Sequence, residues 1–266
     1  MVVSCGREME IVPTERRHHA TELARQAITD GCTLVVAFGG DGTMNEVAQA
    51  LVGTEVVLGL IPSGSGNGLA RHFRIPLRAE EAFALFQTGQ PRLIDMGLAD
   101  GRPFFVTAGL GFEAEMAREF NLLTKRGLPG YFRTGARGWM SYQPQDYVVT
   151  QNGTRDSQRA LTLTVANCSQ YGNNAYIAPR AQADDGLLDL AAVPPVNLFN
   201  AAPLLVRLFN GTLDRRADVL QRRGTNFTVE RPGPGPLHTD GESHTAGARV
   251  EFSVRQRCLR VLVPAG

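Results

Sequence analysis

Lysine is almost absent from this chain: of 27 lysines and arginines, only Lys125 is a lysine. A Walker A phosphate loop needs a Gly-Lys-Ser/Thr triplet, so that chemistry is excluded. Excess charge of either sign is missing too. Twenty-six carboxylates leave a net charge of +1, which argues against a nucleic-acid partner held by bulk charge. The 4 cysteines, Cys5, Cys32, Cys168 and Cys258, show no metal-type pairing and fit buried thiols in a reducing compartment. No apolar run reaches the length of a transmembrane segment, and the start of the sequence lacks a signal-peptide pattern. The expected location is cytoplasmic, with peripheral attachment at the membrane as the only membrane contact. At 266 residues the chain has room for one large or two ordinary domains.

What is present begins with LVVAFGGDGTMNEVAQAL, residues 34–51. Its left half is a Val-rich apolar run that suits a parallel strand covered on both faces. Its right half repeats Met44, Val47, Ala48 and Leu51 at helical spacing. Thr43 stands where an N-cap would, with Glu46 three residues on, the capping-box pattern. Gly39, Gly40 and Gly42 allow the backbone to come close to a ligand. A bare turn rich in N–H groups at the positive end of a helix attracts phosphate. Asp41 makes sense there if it holds Mg²⁺, directly or through water, against that phosphate. A second such turn follows in LGLIPSGSGNGLAR, where Ser65 offers a hydroxyl and Gly64 and Gly66 offer N–H groups. Two such turns at the carboxyl ends of neighbouring parallel strands face one crevice, where open α/β sheets bind ligands.

Two styles of chain follow one another. Between residues 21 and 88 strands and helices alternate, predicting an α/β domain with a parallel sheet. Its helices are expected at 21–29, 43–51, 69–73 and 80–88, and its strands at 33–38 and 56–61. From about Arg92 short strands and hairpin signals take over, with Asp100-Gly101 and Asn152-Gly153 as turns, predicting an antiparallel β-sandwich. Helices interrupt it near 113–123 and 197–210. The expected domains are 1–92, rejoined by 257–266, and 93–256. Lys125, Arg126, Arg133 and Arg137 read as a solvated basic face, and Trp139 as a core residue.

Six stretches together resemble the lipid kinase superfamily of diacylglycerol, sphingosine and ceramide kinases. They are GGDGTMNEV, IPSGSGNGLAR, IDMG, TAGLGFEAE, IAPRAQADDGLLDL and HTDGE, in family order along nearly the whole chain. GGDG alone is shared with NAD kinases and phosphofructokinases; DDGLLD and the late DGE are not. The resemblance implies ATP-dependent phosphorylation of a lipid hydroxyl, in a cleft between a phosphofructokinase-like nucleotide domain and a lipid-binding sandwich. It places nucleotide binding on Thr14, on Gly39, Gly40, Asp41, Gly42, Thr43, Asn45 and Glu46, and on Gly64, Ser65, Gly66 and Asn67. Asp41 and Asp95 would organise the active Mg²⁺, largely through water. Asp240 and Glu242 would hold the acceptor hydroxyl, Glu242 being favoured as general base over Asp240. A second, structural Mg²⁺ would use the Asp185 carboxylate with backbone carbonyls near Gln182 and Leu187.

The chain departs from the family in two places. No Asn-Pro-x-x-Gly loop stands in MVVSCGREMEIVPTE, which implies either that the start of the sequence is misplaced or removed or that one wall of the phosphate site is missing. Gly68 follows Asn67 where many bacterial members carry aspartate, which implies one acidic contact fewer. Two alternatives stay open: an NAD-kinase-like enzyme with a soluble acceptor, and a non-catalytic lipid- or nucleotide-binding homologue. Neither the acceptor lipid nor the oligomeric state is legible.

Overall fold

The α/β pattern resolves into α1 (His19–Thr29), β1 (Leu34–Gly39), α2 (Asp41–Leu51), β2 (Val57–Pro62), α3 (Gly68–His72) and α4 (Ala79–Thr88). A computed structural model describes residues 9–122 and 142–265; Cys5, the basic cluster from Lys125 to Arg137 and Trp139 lie outside them. Two units emerge, one of Met1–Ile94 with Arg257–Gly266, the other of Asp95–Gln256.

In the first unit β1 and β2 pair in parallel, from Leu34 opposite Val57 to Gly39 opposite Pro62. The second strand is buried along nearly its whole length, as a continuous apolar run requires. The first is not covered on both faces, contrary to expectation. It is the edge of its sheet among the described residues, and Phe38 is 64% exposed. Leu51, Ala48 and Leu58 are fully enclosed where α2 packs on the sheet. Gly59 of β2 is bare because Phe86 of α4 lies over it: a Cβ there would stand 3.0 Å from the Phe86 ring.

Two long strands carry the chain between the units, β3 (Gln90–Ala99) and, at the end, β14 (Arg249–Val263). RVEFSV and CLRVLV lie on one continuous strand: β14 runs through both, with a left-handed residue, Arg257 (φ 47°), where one unit gives way to the other. Beyond that residue, Arg260 and Val261 pair in parallel with Val57 and Leu58.

The second unit holds β4 (Arg102–Phe104), β5 (Thr107–Gly111), α5 (Phe112–Leu122), β6 (Gln145–Gln151), β7 (Thr154–Ala160), β8 (Thr162–Ala166), β9 (Leu188–Val193), α6 (Leu198–Phe209), β10 (Leu220–Gly224), β11 (Asn226–Glu230), β12 (Gly235–Thr239) and β13 (Glu242–Ala246). One antiparallel sheet runs β10-β9-β8-β5-β12-β13. The facing sheet is built on β7, β6, β11 and the first part of β14. The stretch RALTLTVAN, which reads as one strand, is two: Ala160 closes the ladder with Gln145, and Thr162 opens the ladder with Val193 in the other sheet. Between the sheets lie Phe104, Leu110, Tyr147, Leu163, Phe227 and Phe252, all essentially inaccessible. Three hairpins turn on Asp100-Gly101, Asn152-Gly153 and Asp240-Gly241, with φ positive at both residues of each pair. That is the type I′ signature, which matches the twist of the flanking strands. The molecule is thus an α/β domain joined to an antiparallel β-sandwich.

Candidate active site

In the first unit the two glycine turns are locked to each other. Gly40 and Gly64 nearly touch: a Cβ on Gly64 would lie 2.6 Å from the Gly40 Cα. Only a pair without side chains permits that approach. The Ser63 N–H donates to the Gly39 carbonyl at 2.8 Å. Asn67, buried and left-handed (φ 53°), folds its side chain back on Gly64, accepting from its N–H at 3.0 Å and donating to its carbonyl at 2.7 Å. The Asp41 carboxylate completes the lock. Its oxygens accept the N–H groups of Asn67 and Gly68, each at 2.8 Å, and so cap α3.

The expected capping box is corrected. Helix α2 begins at Asp41 with Gly40 as its extended N-cap, and Thr43 is already inside the first turn. Asp41 opens that first turn and reaches α3 from it. Glu46 does not serve its own helix. Its two oxygens accept the N–H groups of His18 at 2.9 Å and Ala20 at 3.1 Å, capping α1. Asn45 is buried and accepts from the Gln49 amide one turn on. Ser65 is exposed, and Thr14 lies on an exposed stretch before α1.

Several features at α2 remain suited to an anion. The N-cap residue, Gly40, supplies no capping side chain, and the first N–H groups of any helix lack an intrahelical acceptor. Nothing stands within 4 Å of a Cβ built on Gly42, which leaves that backbone open to a ligand. Asp41 is half-buried, and each of its oxygens accepts one N–H group, from Asn67 or Gly68, and keeps a further lone pair. That donor set fits Mg²⁺ held through water more readily than a direct bond.

In the sandwich the acidic residues part company. Asp240 opens the β12–β13 turn, and its carboxylate accepts three N–H groups, from Phe105 at 2.8 Å, Val106 at 2.9 Å and Thr107 at 3.0 Å. It is an anchor for the β4–β5 connection. Glu242 begins β13, opposite Thr239 across the turn, and is half-buried. Behind the turn runs a polar chain that sequence reasoning missed. The Gly241 N–H donates to His238 Nδ1 at 3.3 Å, and His238 Nε2 stands 3.4 Å from Glu113 Oε1. That arrangement assigns the ring proton to Nε2. Glu113 also accepts from Thr164 Oγ1 at 2.8 Å and from the Tyr171 hydroxyl. Gly109 is bare to make room: a Cβ there would lie 1.5 Å from Glu113 Oε1 and 2.9 Å from His238 Nε2. The signal was present in TAGLGFEAE and HTDGE, whose glycine, glutamate and histidine are these residues. Next to Glu242, burial pushes the half-buried His244 imidazole down, against the raising effect of the Glu242 carboxylate.

The two remaining metal expectations do not suit the residues. Asp95 is wholly inaccessible, and its Oδ2 accepts the Gly186 N–H at 2.7 Å. It pins the DDGLLD turn and offers nothing to solvent. At that turn Asp185 accepts the Leu187 N–H at 3.0 Å and is ion-paired with Arg223, while Gln182 is exposed. A guanidinium already supplies the cation there. Among the described residues no group of three or more His, Cys, Asp or Glu side chains could hold a metal ion.

Two family models match the chain one after the other. A model of the diacylglycerol kinase catalytic domain matches residues 2–99, and one of the YegS C-terminal NAD kinase beta sandwich-like domain matches residues 106–263. The chain is 31% identical to a probable lipid kinase YegS-like of Pseudomonas aeruginosa (strain UCBPP-PA14), over 98% of this chain and 86% of the other. It is 28% identical to a diacylglycerol kinase of Mycobacterium tuberculosis (strain CDC 1551), over 93% of this chain and 82% of that one. A solved diacylglycerol kinase from Bacillus anthracis (strain Sterne) superposes with a TM-score of 0.70 at 18% identity, covering 94% of this chain and 83% of its own. Both halves, in this order and at this coverage, show that the chain belongs to the diacylglycerol kinase superfamily of lipid kinases.

Proposed function

We propose that the protein transfers the γ-phosphate of ATP to the hydroxyl of a membrane lipid, such as a diacylglycerol or a sphingoid base. The observation that carries this reading is the glycine lock of the first unit. Gly40 and Gly64 in contact, an uncapped α2 and open space at Gly42 leave backbone N–H groups bare where phosphate would sit. Phosphoryl transfer depends mainly on positioning and on stabilising charge, which such preorganised donors supply. Asp41 would hold Mg²⁺ through water, and the ion would neutralise phosphate charge in a chain with a single lysine.

Glu242 is the side chain that takes the proton of the lipid hydroxyl. Asp240 does not compete for that role, because its carboxylate is occupied by three backbone N–H groups. Glu113 and His238 act behind the turn, holding its backbone through Gly241. Asn45, Glu46 and Asn67 serve the nucleotide indirectly, by fixing the elements that present the loops.

Radiolabelled ATP offered to total lipid extract and, separately, to NAD tests the proposal. Label in a lipid product supports it. Label in NADP replaces it with a soluble acceptor, and no label with either overturns catalysis.

A further inference from the structure

Helix α6 is apolar on two sides. Leu204 faces inward with Ile177, Leu213 and Val219, and Leu208 packs against the same cluster. At roughly 100° per residue, Phe199, Ala202, Val206 and Phe209 share a different strip, and all four are exposed. Phe199 is 93% exposed, Val206 62% and Phe209 48%, with Leu205 beside them at 50%. Single exposed hydrophobes are ordinary, but four large ones on one helix face mark a docking surface.

The charge around this strip selects its partner. The helix itself carries no carboxylate, and its one charged residue is Arg207. Arg215 and Arg216 follow in the next turn; residues 197–218 hold three arginines against two carboxylates, of which Asp218 pairs with Arg216 and Asp214 with Arg180, so Arg207 and Arg215 carry the excess positive charge. A second copy of the same face would bring these arginines with no carboxylate on the helix to answer them. An anionic lipid surface answers both features, taking the apolar strip among acyl chains and the arginines at the headgroups. The helix is also built before docking: Asn197 and Asn200 close its N-terminus with a reciprocal capping box.

We propose that α6 is an interfacial helix that seats the protein on anionic bilayers, with Phe199, Val206 and Phe209 inserted at the acyl boundary. Its purpose, though not its physics, rests on the lipid kinase reading. The docking delivers the enzyme to a substrate that never leaves the membrane.

Co-sedimentation of the full chain with vesicles tests this without ATP. Vesicles of phosphatidylcholine containing phosphatidylglycerol are compared with phosphatidylcholine alone. Binding is expected to the anionic vesicles and to weaken with salt. Phe199→Asp and Phe209→Asp, made separately, should each lower partitioning by about tenfold or more, with the melting temperature unchanged. Wild-type binding to neither vesicle, or variants that bind as wild type does, overturns the proposal. So does a dimer in sedimentation velocity that Phe199→Asp dissolves while vesicle binding persists, because the occupant would then be a second copy. A protein that binds vesicles but phosphorylates no lipid keeps this inference and loses the kinase reading. One that phosphorylates a dispersed short-chain diacylglycerol but ignores vesicles does the reverse.

Discussion

Asp240 and Glu242 are two residues apart and do different work. Asparagine at 240 would replace one acceptor oxygen with an NH₂ group facing N–H donors. Each buried group left unsatisfied costs about 1–3 kcal/mol. Asp240→Asn is therefore expected to lose roughly 2–3 kcal/mol, a drop of roughly 4–12 °C in melting temperature for a chain of this size. Glu242→Gln should melt like wild type and lose about 10²–10⁴-fold in turnover, the usual worth of a general base. The comparison needs only calorimetry and a lipid kinase assay on the two variants. If Glu242→Gln turns over normally, the base lies elsewhere. Gly109→Ala adds one carbon where Glu113 Oε1 already stands, 1.5 Å away. Overpacking of this kind costs about 1–3 kcal/mol. It should also lower turnover by displacing the His238–Glu113 pair that supports the turn.

At the scale of elements, acidic side chains here cap helices other than their own. Asp41 of α2 caps α3, and Glu46 of α2 caps α1. Removing such a cap costs about 1 kcal/mol. Glu46→Ala is expected to speed amide hydrogen exchange across the first turn of α1 while leaving exchange in β2 unchanged. Unaltered α1 exchange would leave Glu46 to the nucleotide instead. The DDGLLD turn follows the same logic, with Arg223 on Asp185 in place of an ion. A chelator should accordingly leave the melting temperature unchanged, whereas a fall on chelation would restore a structural metal.

Across the whole molecule, stability should carry the mark of Asp189. Burial pushes its carboxyl up to about 6 from an ordinary 3.8. Arg223 Nε stands 3.5 Å away, an ion-pair distance, yet Asp189 Oδ2 has no hydrogen-bond partner. Burial of that oxygen therefore outweighs the nearby cation. A folded carboxyl with a raised pKa binds its proton more tightly than the unfolded chain does. Stability from this group is thus complete below the unfolded value and declines as pH rises through about 6. Asp189→Asn removes that decline, so its advantage over wild type should grow between pH 4 and pH 7 in denaturant titrations. An advantage that does not change with pH would refute the assignment.

Much of the architecture was legible because local chemistry decides it. The Val-rich runs, the apolar spacing of α2 and the Asp-Gly and Asn-Gly turns each act within a few residues, and the two-domain class follows from them. The positions at which Gly40, Gly42 and Gly64 stand were also readable, since little but glycine suits such turns. What the tertiary structure alone decided is the assignment of each charged group to its partner. The sequence cannot say that Asp41 reaches Asn67, that Asp240 reaches Phe105 or that His238 meets Glu113. Those pairs lie 26, 135 and 125 positions apart along the chain. Hydrogen bonds depend on ångström distances in space, and separation along the chain does not encode them. A carboxylate therefore announced its chemistry in the sequence, and only the fold determined whether that chemistry was left for a ligand or used to hold the protein together.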